Sequence, residues 1–385
     1  MKPRIYLDNS ATTRIDDEVL DAMLPYLRER FGNASSIHAF GQEARAAVED
    51  ARQAVADLVG AEPRELVFTS GGTESDNMAL WGVLRSGYRP GNHIITSRIE
   101  HPAVLATCKA LEEAGAEVTF LPVDSSGRVD PERVTAAVNE RTILITIMHA
   151  NNETGVIQPI EEIGRIARER GILLHTDAVQ SVGKIPVHVG RLGVDLLSLS
   201  GHKFHGPKGA GALFVRSGVK LKPLLTGGSH ERRRRAGTEN VAALVGLSAA
   251  SQLAQRRLPA MTSRVAVLRD RLQERIRNGI PGVRINGSVE HRLPIVTNMA
   301  FDALEGEAAV IALDLAGVAV STGSACSSGS LEPSHVLMGM GLRAEVVQGS
   351  LRFSLSHHSA AEEIDGAAQI VVDTVTRLRG LARRG

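Results

Sequence analysis

The chain reads as an α/β protein: a mostly parallel central sheet sandwiched by helices, followed by a smaller α+β domain. Three observations predict this. Short apolar runs alternate with amphipathic stretches from about residue 65 to residue 215, the pattern of strand–helix units whose sheet is covered on both faces. The runs at 171–174 and 194–199 are followed by polar residues, as in open α/β sheets whose strand ends face a ligand. The last third changes character, with short strands at 284–286, 298–301, 318–320 and 351–354 and helices at 306–316 and 360–378. The expected division is a large domain over 15–255 and a small one formed by 1–14 with 256–385.

Composition bounds the function. The chain has 385 residues, 43% of them hydrophobic, enough for a large core. A net charge of +1 argues against a general nucleic-acid or anionic-membrane binder. Two cysteines exclude a disulfide framework and fit a reducing compartment. The N-terminus lacks an apolar signal core, and no run is long enough to span a bilayer, so a cytoplasmic protein is expected.

Residues 1–15 read as an extended arm. An amphipathic helix over 16–30 carries Val19, Leu20, Met23, Leu24 and Leu27 on one stripe, and a second covers 41–59. Between them, 31–38 is a turn-rich loop. The strand at 65–69 leads into Ser70-Gly-Gly-Thr-Glu74 and a helix to about residue 84. Glycines at such a junction let backbone N–H groups approach an anion, although Thr73 also suits a plain N-cap. The strand at 93–97 runs into Glu100-His101-Pro102, where Pro102 suits a first helical turn. His101 there serves either as a cap or as a proton carrier over a cofactor ring. Cys108 shares a helix face with Val104, Leu105 and Leu111 and reads as a small core residue. The strand at 142–148 ends in His149-Ala-Asn-Asn152, whose amides could build a turn or bind a ligand oxygen, and a helix follows at 160–170.

The chemistry concentrates between 173 and 211. The first strand there delivers Asp177 and Gln180, and the second delivers Ser200, His202 and Lys203. An acid and a lysine at the ends of neighbouring strands suit pyridoxal phosphate. The lysine holds the aldehyde as a Schiff base, and the carboxylate keeps the ring nitrogen protonated, so that the ring is an electron sink. The glycines at 201 and 206 only imitate a P-loop, because Pro207 interrupts the required Gly-Lys-Ser/Thr. The four arginines at 232–235 read as a solvated or interface loop rather than a nucleic-acid site. A single long helix is expected from 241 to about 277. The segment 321–330 is built of small residues around Cys326, which makes that thiol accessible and the loop mobile. Arg352, on a nearby strand, has the fork that binds a carboxylate.

The segments YLDNSATT, FGNASSIH, SGGTESDN, IEHPAV, MHANNETG, HTDAVQSVGK, SLSGHK, RRAGTEN, GSACSSGS and GSLRFSLS, in this order over nearly the whole chain, resemble the cysteine desulfurases of the NifS/IscS type. These are fold-type-I, class V pyridoxal-phosphate enzymes. The resemblance implies conversion of L-cysteine to L-alanine with a persulfide on Cys326, supplying sulfur for iron–sulfur clusters or other thio-cofactors. It implies Lys203 as Schiff-base lysine and base, Asp177 at the ring nitrogen, and Gln180 and Asn152 at the ring hydroxyl oxygen. His101 would stack on the ring and handle protons. Gly72, Thr73, Ser200 and His202 would hold the phosphate, together with Thr238 from the neighbouring subunit of a homodimer. Asn33 and Arg352 would take the substrate carboxylate. No permanent metal is implied, although Cys326 could share an iron–sulfur cluster transiently with a scaffold partner that accepts the sulfur.

The departures are small. Gly72 stands where alanine is commoner, and Phe204-His205 where an aliphatic–tyrosine pair is commoner. The serine-flanked Cys326 segment resembles the long-loop branch. The sequence stops at Gly385 without the extension some members use for scaffold docking. Three other readings compete: a selenocysteine lyase or related pyridoxal-phosphate lyase or aminotransferase, a non-catalytic assembly subunit, and a nucleic-acid binder using the arginine run. The intact set of Lys203, Asp177, His101 and Cys326 argues against a non-catalytic role.

Overall fold

The computed structural model describes residues 4–322 and 333–382. Its main sheet has seven strands, in the spatial order Leu66–Thr69, Gly211–Val215, Leu196–Ser200, Leu173–Asp177, Thr142–Thr146, His93–Ser97 and Glu117–Leu121. The five strands from Leu196–Ser200 to Glu117–Leu121 are mutually parallel. Gly211–Val215 runs antiparallel to both of its neighbours. Only ten residues separate it from Ser200, too few for the helical crossover a parallel strand needs.

Alternation along each strand feeds two cores. Ile95, Ile145, Leu174, Leu197 and Phe214 pack on one face with residues of the helices Ala39–Val59, Ile160–Glu169 and Val241–Ala260. Their chain neighbours Ile94, Leu144, Leu173, Leu196 and Leu213 pack on the other with residues of Gly72–Ser86 and Pro102–Glu113. A sheet covered in this way needs apolar residues at successive positions, which is why the strands read as continuous apolar runs.

The apolar runs stop before the strands do. Leu173–Asp177 continues through His175 and Thr176, both fully buried. His175 hydrogen-bonds with Thr146 Oγ1 at 2.8 Å and Ser198 Oγ at 3.0 Å on the two flanking strands. The hydrogen-bonded imidazole thus lets a polar residue continue the strand to Asp177.

A second sheet is antiparallel, in the order Ser321–Thr322, Ser350–Ser354, Val296–Phe301 and Val283–Asn286. Its apolar core includes residues of the helices Ala266–Gly279 and Ala361–Ala382 and of the arm, through Leu7. Beside it, Ile5–Tyr6 pairs in parallel with Val318–Ala319, so the strand expected over 318–320 ends at Ala319, and the next strand, Ser321–Thr322, belongs to the second sheet. The long helix expected over 241–277 is two helices, Val241–Ala260 and Ala266–Gly279, joined by a π-helical stretch at Met261–Val265. Pro259 has no N–H for the helical ladder just before this break.

The arm stitches the small sheet to the lysine loop. Asn9 N–H donates to the Ser354 carbonyl, and Thr13 N–H donates to the His202 carbonyl. Thr13 Oγ1 donates to that same carbonyl at 2.9 Å and accepts from His205 N–H at 2.8 Å. Among the described residues, no helix is long and apolar enough to cross a membrane.

Burial pushes the His175 imidazole down to about 3. The unfolded chain therefore takes up a proton near pH 6.5 that the folded chain refuses, and stability falls as pH drops below that value. This group alone removes about 2 kcal/mol of stability between pH 7 and pH 5. Urea unfolding at both pH values should show a clearly smaller pH effect in His175→Gln than in the parent; an equal effect would contradict the assignment.

Candidate active site

A cavity of about 200 Å³ opens at the carboxyl ends of the parallel strands. Gly72, Thr73, His101, Asn152, Asp177, Gln180, Ser200, His202 and Lys203 all line it, so nine of the residues singled out in the sequence converge on one space. Asp76, Met148, Ala150 and Val179 complete the lining.

Each side chain is delivered by a strand end or by the turn after it. Asp177 and Ser200 are the last residues of adjacent parallel strands. Asp177 Oδ1 accepts from Val179 N–H at 2.9 Å, which fixes the carboxylate at the strand end. Lys203 ends the short 3₁₀ turn Gly201–Lys203, and its Nζ donates to the Ser10 and Ala11 carbonyls at 2.7 and 2.8 Å. The N-terminal arm thus aims the lysine. His101 meets both sequence readings. Its Nδ1 accepts from Ala103 N–H at 3.1 Å as the cap of Pro102–Glu113, which places the ring proton on Nε2, and its ring lines the cavity.

The helix Gly72–Ser86 points its N-terminus at the cavity. Among the described residues, no side chain caps it. Gly71 has φ +150°, a conformation that favours glycine, and lets the strand Leu66–Thr69 turn into this helix. An uncapped helix N-terminus beside Thr73, Ser200 and His202 is a seat for a phosphate.

Gln180 is oriented from both ends. Its amide nitrogen donates to the Ser10 carbonyl at 3.0 Å, and its oxygen accepts from the buried Lys184 Nζ at 2.9 Å. Asn152 Oδ1 is buried with no hydrogen-bond partner among the described residues. An unsatisfied polar atom lining a cavity marks a place where a ligand atom is expected.

Two buried carboxyl groups stand near one another here. Burial and the Asp177 charge push Asp76 well above the carboxylate range. Burial also raises Asp177, but His101, the Val179 N–H and Lys203 oppose the rise. Of the two, Asp76 is pushed up further, so it is the acid that keeps its proton to the higher pH. Burial lowers His101, and it takes His202 down to about 4, so both rings are neutral at pH 7. Behind them, Glu100 is pushed up to about 8 by burial and accepts from Ser97 Oγ at 2.6 Å.

The remaining sequence candidates lie elsewhere. Arg352 is 1% exposed, and donates to the Asp8 carboxylate at 2.7 Å and the Asn152 carbonyl at 2.8 Å. Its Nε is buried without a hydrogen-bond partner among the described residues. Asn33 and Thr238 are exposed and do not line the cavity. Cys326 lies outside the described residues. Cys108 is fully buried, and burial pushes its thiol up to about 12, in line with a packing role.

Sequence reasoning missed the supports. Asp76 sits one helical turn beyond Thr73. Arg52, 3% exposed, grips Glu231 through two hydrogen bonds of 2.8 Å, and Glu231 also accepts from Phe68 N–H at 2.8 Å. Glu231, Arg232 and Arg233 have φ of 46°, 56° and 65°, a left-handed turn held by that buried pair. Arg235 then bridges to Glu74 at 2.8 Å, which ties this loop to the helix carrying Thr73. No local signal could pair Arg52 with a residue 179 positions away.

Residues 5–366 match the family model for class-V aminotransferases. The chain is 50% identical over 382 residues to "Cysteine desulfurase IscS" of Dictyoglomus turgidum, covering 99% of this chain and 97% of that relative. It is 51% identical over 378 residues to "Cysteine desulfurase IscS" of Methanosarcina thermophila, covering 98% and 93%. A solved structure titled "NIFS-LIKE PROTEIN" superposes with a TM-score of 0.92 at 40% identity, covering 97% of this chain and all of that one. Another, "SspA in complex with cysteine", superposes with 0.82 at 37% identity, covering 92% of this chain and all of that one. With its strand-end lysine and carboxylate in place and these relatives matched nearly end to end, the chain belongs to the class-V aminotransferase family, among its cysteine desulfurases.

Proposed function

We propose that the chain is a pyridoxal-phosphate-dependent cysteine desulfurase: it takes sulfur from L-cysteine onto Cys326 and releases L-alanine. One observation carries this reading: the buried Asp177 carboxylate and the Lys203 amine face one cavity beside an uncapped helix N-terminus. The orphaned Asn152 oxygen and the phosphate seat at Gly72, Thr73, Ser200 and His202 fit the cofactor. When bound, pyridoxal phosphate supplies the electron sink that makes the α-proton of an amino acid removable.

The chain's own residues do the rest. Asp177 accepts the ring N–H and stays anionic because Asp76 holds the nearby proton. Gln180, fixed by Lys184 and the arm, presents its amide to the ring oxygen, with Asn152 beside it. Lys203 holds the cofactor between turnovers and removes the α-proton of the substrate. The neutral His101, with its proton on Nε2, lines the space the ring would fill and would carry protons there. Arg352, with Asn33, receives the substrate carboxylate.

Cys326 is read as the nucleophile. Its thiolate attacks the substrate sulfur, and an S–S bond forms as the Cβ–S bond breaks. The electron pair of the broken bond remains with the substrate carbon, which is protonated and leaves as alanine. The persulfide then passes to an acceptor protein, which we read as an iron–sulfur scaffold.

We read the working unit as a homodimer in the cytoplasm, with Thr238 of one subunit reaching the phosphate of the other. In support, four large apolar side chains within one segment of chain, Leu27, Phe31, Ile37 and Phe40, are exposed, Phe31 and Ile37 to 73% and 90%.

Cys326→Ala should lower sulfide release from L-cysteine at least about a hundredfold while the visible absorbance of the bound cofactor stays in place. Sulfide at the parent rate in that variant would overturn the nucleophile assignment. Asp177→Asn should lower turnover by about two orders of magnitude or more and weaken pyridoxal phosphate binding in a spectrophotometric titration. Unchanged affinity and rate would remove Asp177 from the ring nitrogen.

A further inference from the structure

The loop that carries Lys203 continues into a cluster of three histidines and a carboxylate. His205 has φ +68°, a left-handed backbone that a non-glycine residue adopts at a cost of about 1 kcal/mol or more. Its Nδ1 donates to the Arg14 carbonyl at 2.9 Å, which leaves the lone pair on Nε2. Carbonyl-anchored imidazoles of this kind are the usual form of a metal-binding histidine. The His205 ring lies edge-on to His357 and His358, with centroids 4.2 and 5.2 Å away. Asp16 Oδ1 stands 3.3 Å from His357 Nε2 and 3.0 Å from His358 Nε2. One ligand-type atom from each of the four residues lies within 4.8 Å of all the others.

The protonation states suit a cation. Burial takes the His205 imidazole down to about 3 and lowers His358, so both are neutral at pH 7. Burial opposes the charge on Asp16, but the Arg257 guanidinium that donates to it favours the carboxylate and holds the group well below its ordinary range. A cation already sits here. The Arg257 guanidinium donates to Asp16 Oδ2 and to His357 Nε2, the latter at 2.9 Å, so that nitrogen also presents a lone pair. Glu18 lies 3.4 Å from the far side of the same guanidinium and offers it a second partner. A cavity of about 20 Å³, the size of a single water or ion, is lined in part by Asp16, His205, Arg257 and His357, with His358 outside its lining.

We propose that Asp16, His205, His357 and His358 bind one divalent first-row transition metal ion of the zinc type, which displaces Arg257 toward Glu18. Three imidazoles and one carboxylate are a donor set for such an ion. Bonds of about 2.1 Å in a tetrahedron require ligand atoms about 3.4 Å apart. The two Asp16–histidine distances, 3.3 and 3.0 Å, are close to this, and the other separations, all within 4.8 Å, must shorten as the ion binds. The ion would join three separate pieces of chain: the arm that aims Lys203, the loop that carries it, and the turn at 356–359. It lies outside the cofactor cavity, and the proposal does not rest on the desulfurase reading.

The test uses untagged, chelator-treated protein loaded with pyridoxal phosphate, titrated with Co²⁺ and then with Zn²⁺. One equivalent of Co²⁺ per chain should produce the intense visible bands of four-coordinate cobalt, and Zn²⁺ should abolish them. His357→Ala and His358→Ala, at partly exposed positions, should each weaken the affinity by about tenfold to a hundredfold. Arg257→Ala should tighten it by removing the competing cation. Only the weak bands of six-coordinate cobalt would overturn the site. So would equal affinity in both histidine variants, or a sulfur-to-cobalt charge-transfer band that places the ion on a cysteine.

Discussion

An anionic carboxylate buried at the end of a parallel strand is the constraint on which the rest of this structure depends. Asp177 is 6% exposed, and burial alone would neutralise it. The structure opposes this with the Val179 N–H, which donates to the carboxylate, and with the charge of Lys203 on the turn after the next strand. Asp76 takes the proton that the pair of acids cannot both lose. The same arrangement suits a cofactor whose ring nitrogen must stay protonated.

Lys203 is placed by chain far from it in sequence. The Ser10 and Ala11 carbonyls accept from its amine, and Thr13 clamps the backbone on both sides of it. The arm that does this is anchored at Ser354 of the second sheet. That strand also bears Arg352, whose guanidinium reaches back to Asp8 and to the Asn152 carbonyl beside the cavity. The small sheet is therefore part of the site's geometry: a shift of that sheet would move the carbonyls that hold the lysine.

Much of this was legible in the sequence, because strand-end chemistry is local. Asp177, Gln180, Ser200, His202 and Lys203 follow apolar runs by a few residues, and all five line the cavity. The runs themselves ended early, since His175 and Thr176 are polar yet buried, satisfied by Thr146 on the neighbouring strand and by the Ile147 carbonyl just past its end. What could not be read was pairing over distance. Arg52 with Glu231, Asp16 with His357 and His358, and Lys203 with the arm bring together residues more than a hundred positions apart. Gly211–Val215 enters the sheet antiparallel because its connection is short, a matter of topology rather than periodicity. Asn33 and Thr238, both singled out in the sequence, are exposed and do not line the cavity of their own chain.

The most direct test of the account is the product balance with L-cysteine and a thiol reductant, on protein loaded with pyridoxal phosphate. Alanine and sulfide in equal amounts would show that the Cβ–S bond breaks by transfer of sulfur to a nucleophile, as the placement of Lys203 and Asp177 with a separate thiol requires. Pyruvate and ammonia accompanying the sulfide would mean β-elimination instead, and would contradict it.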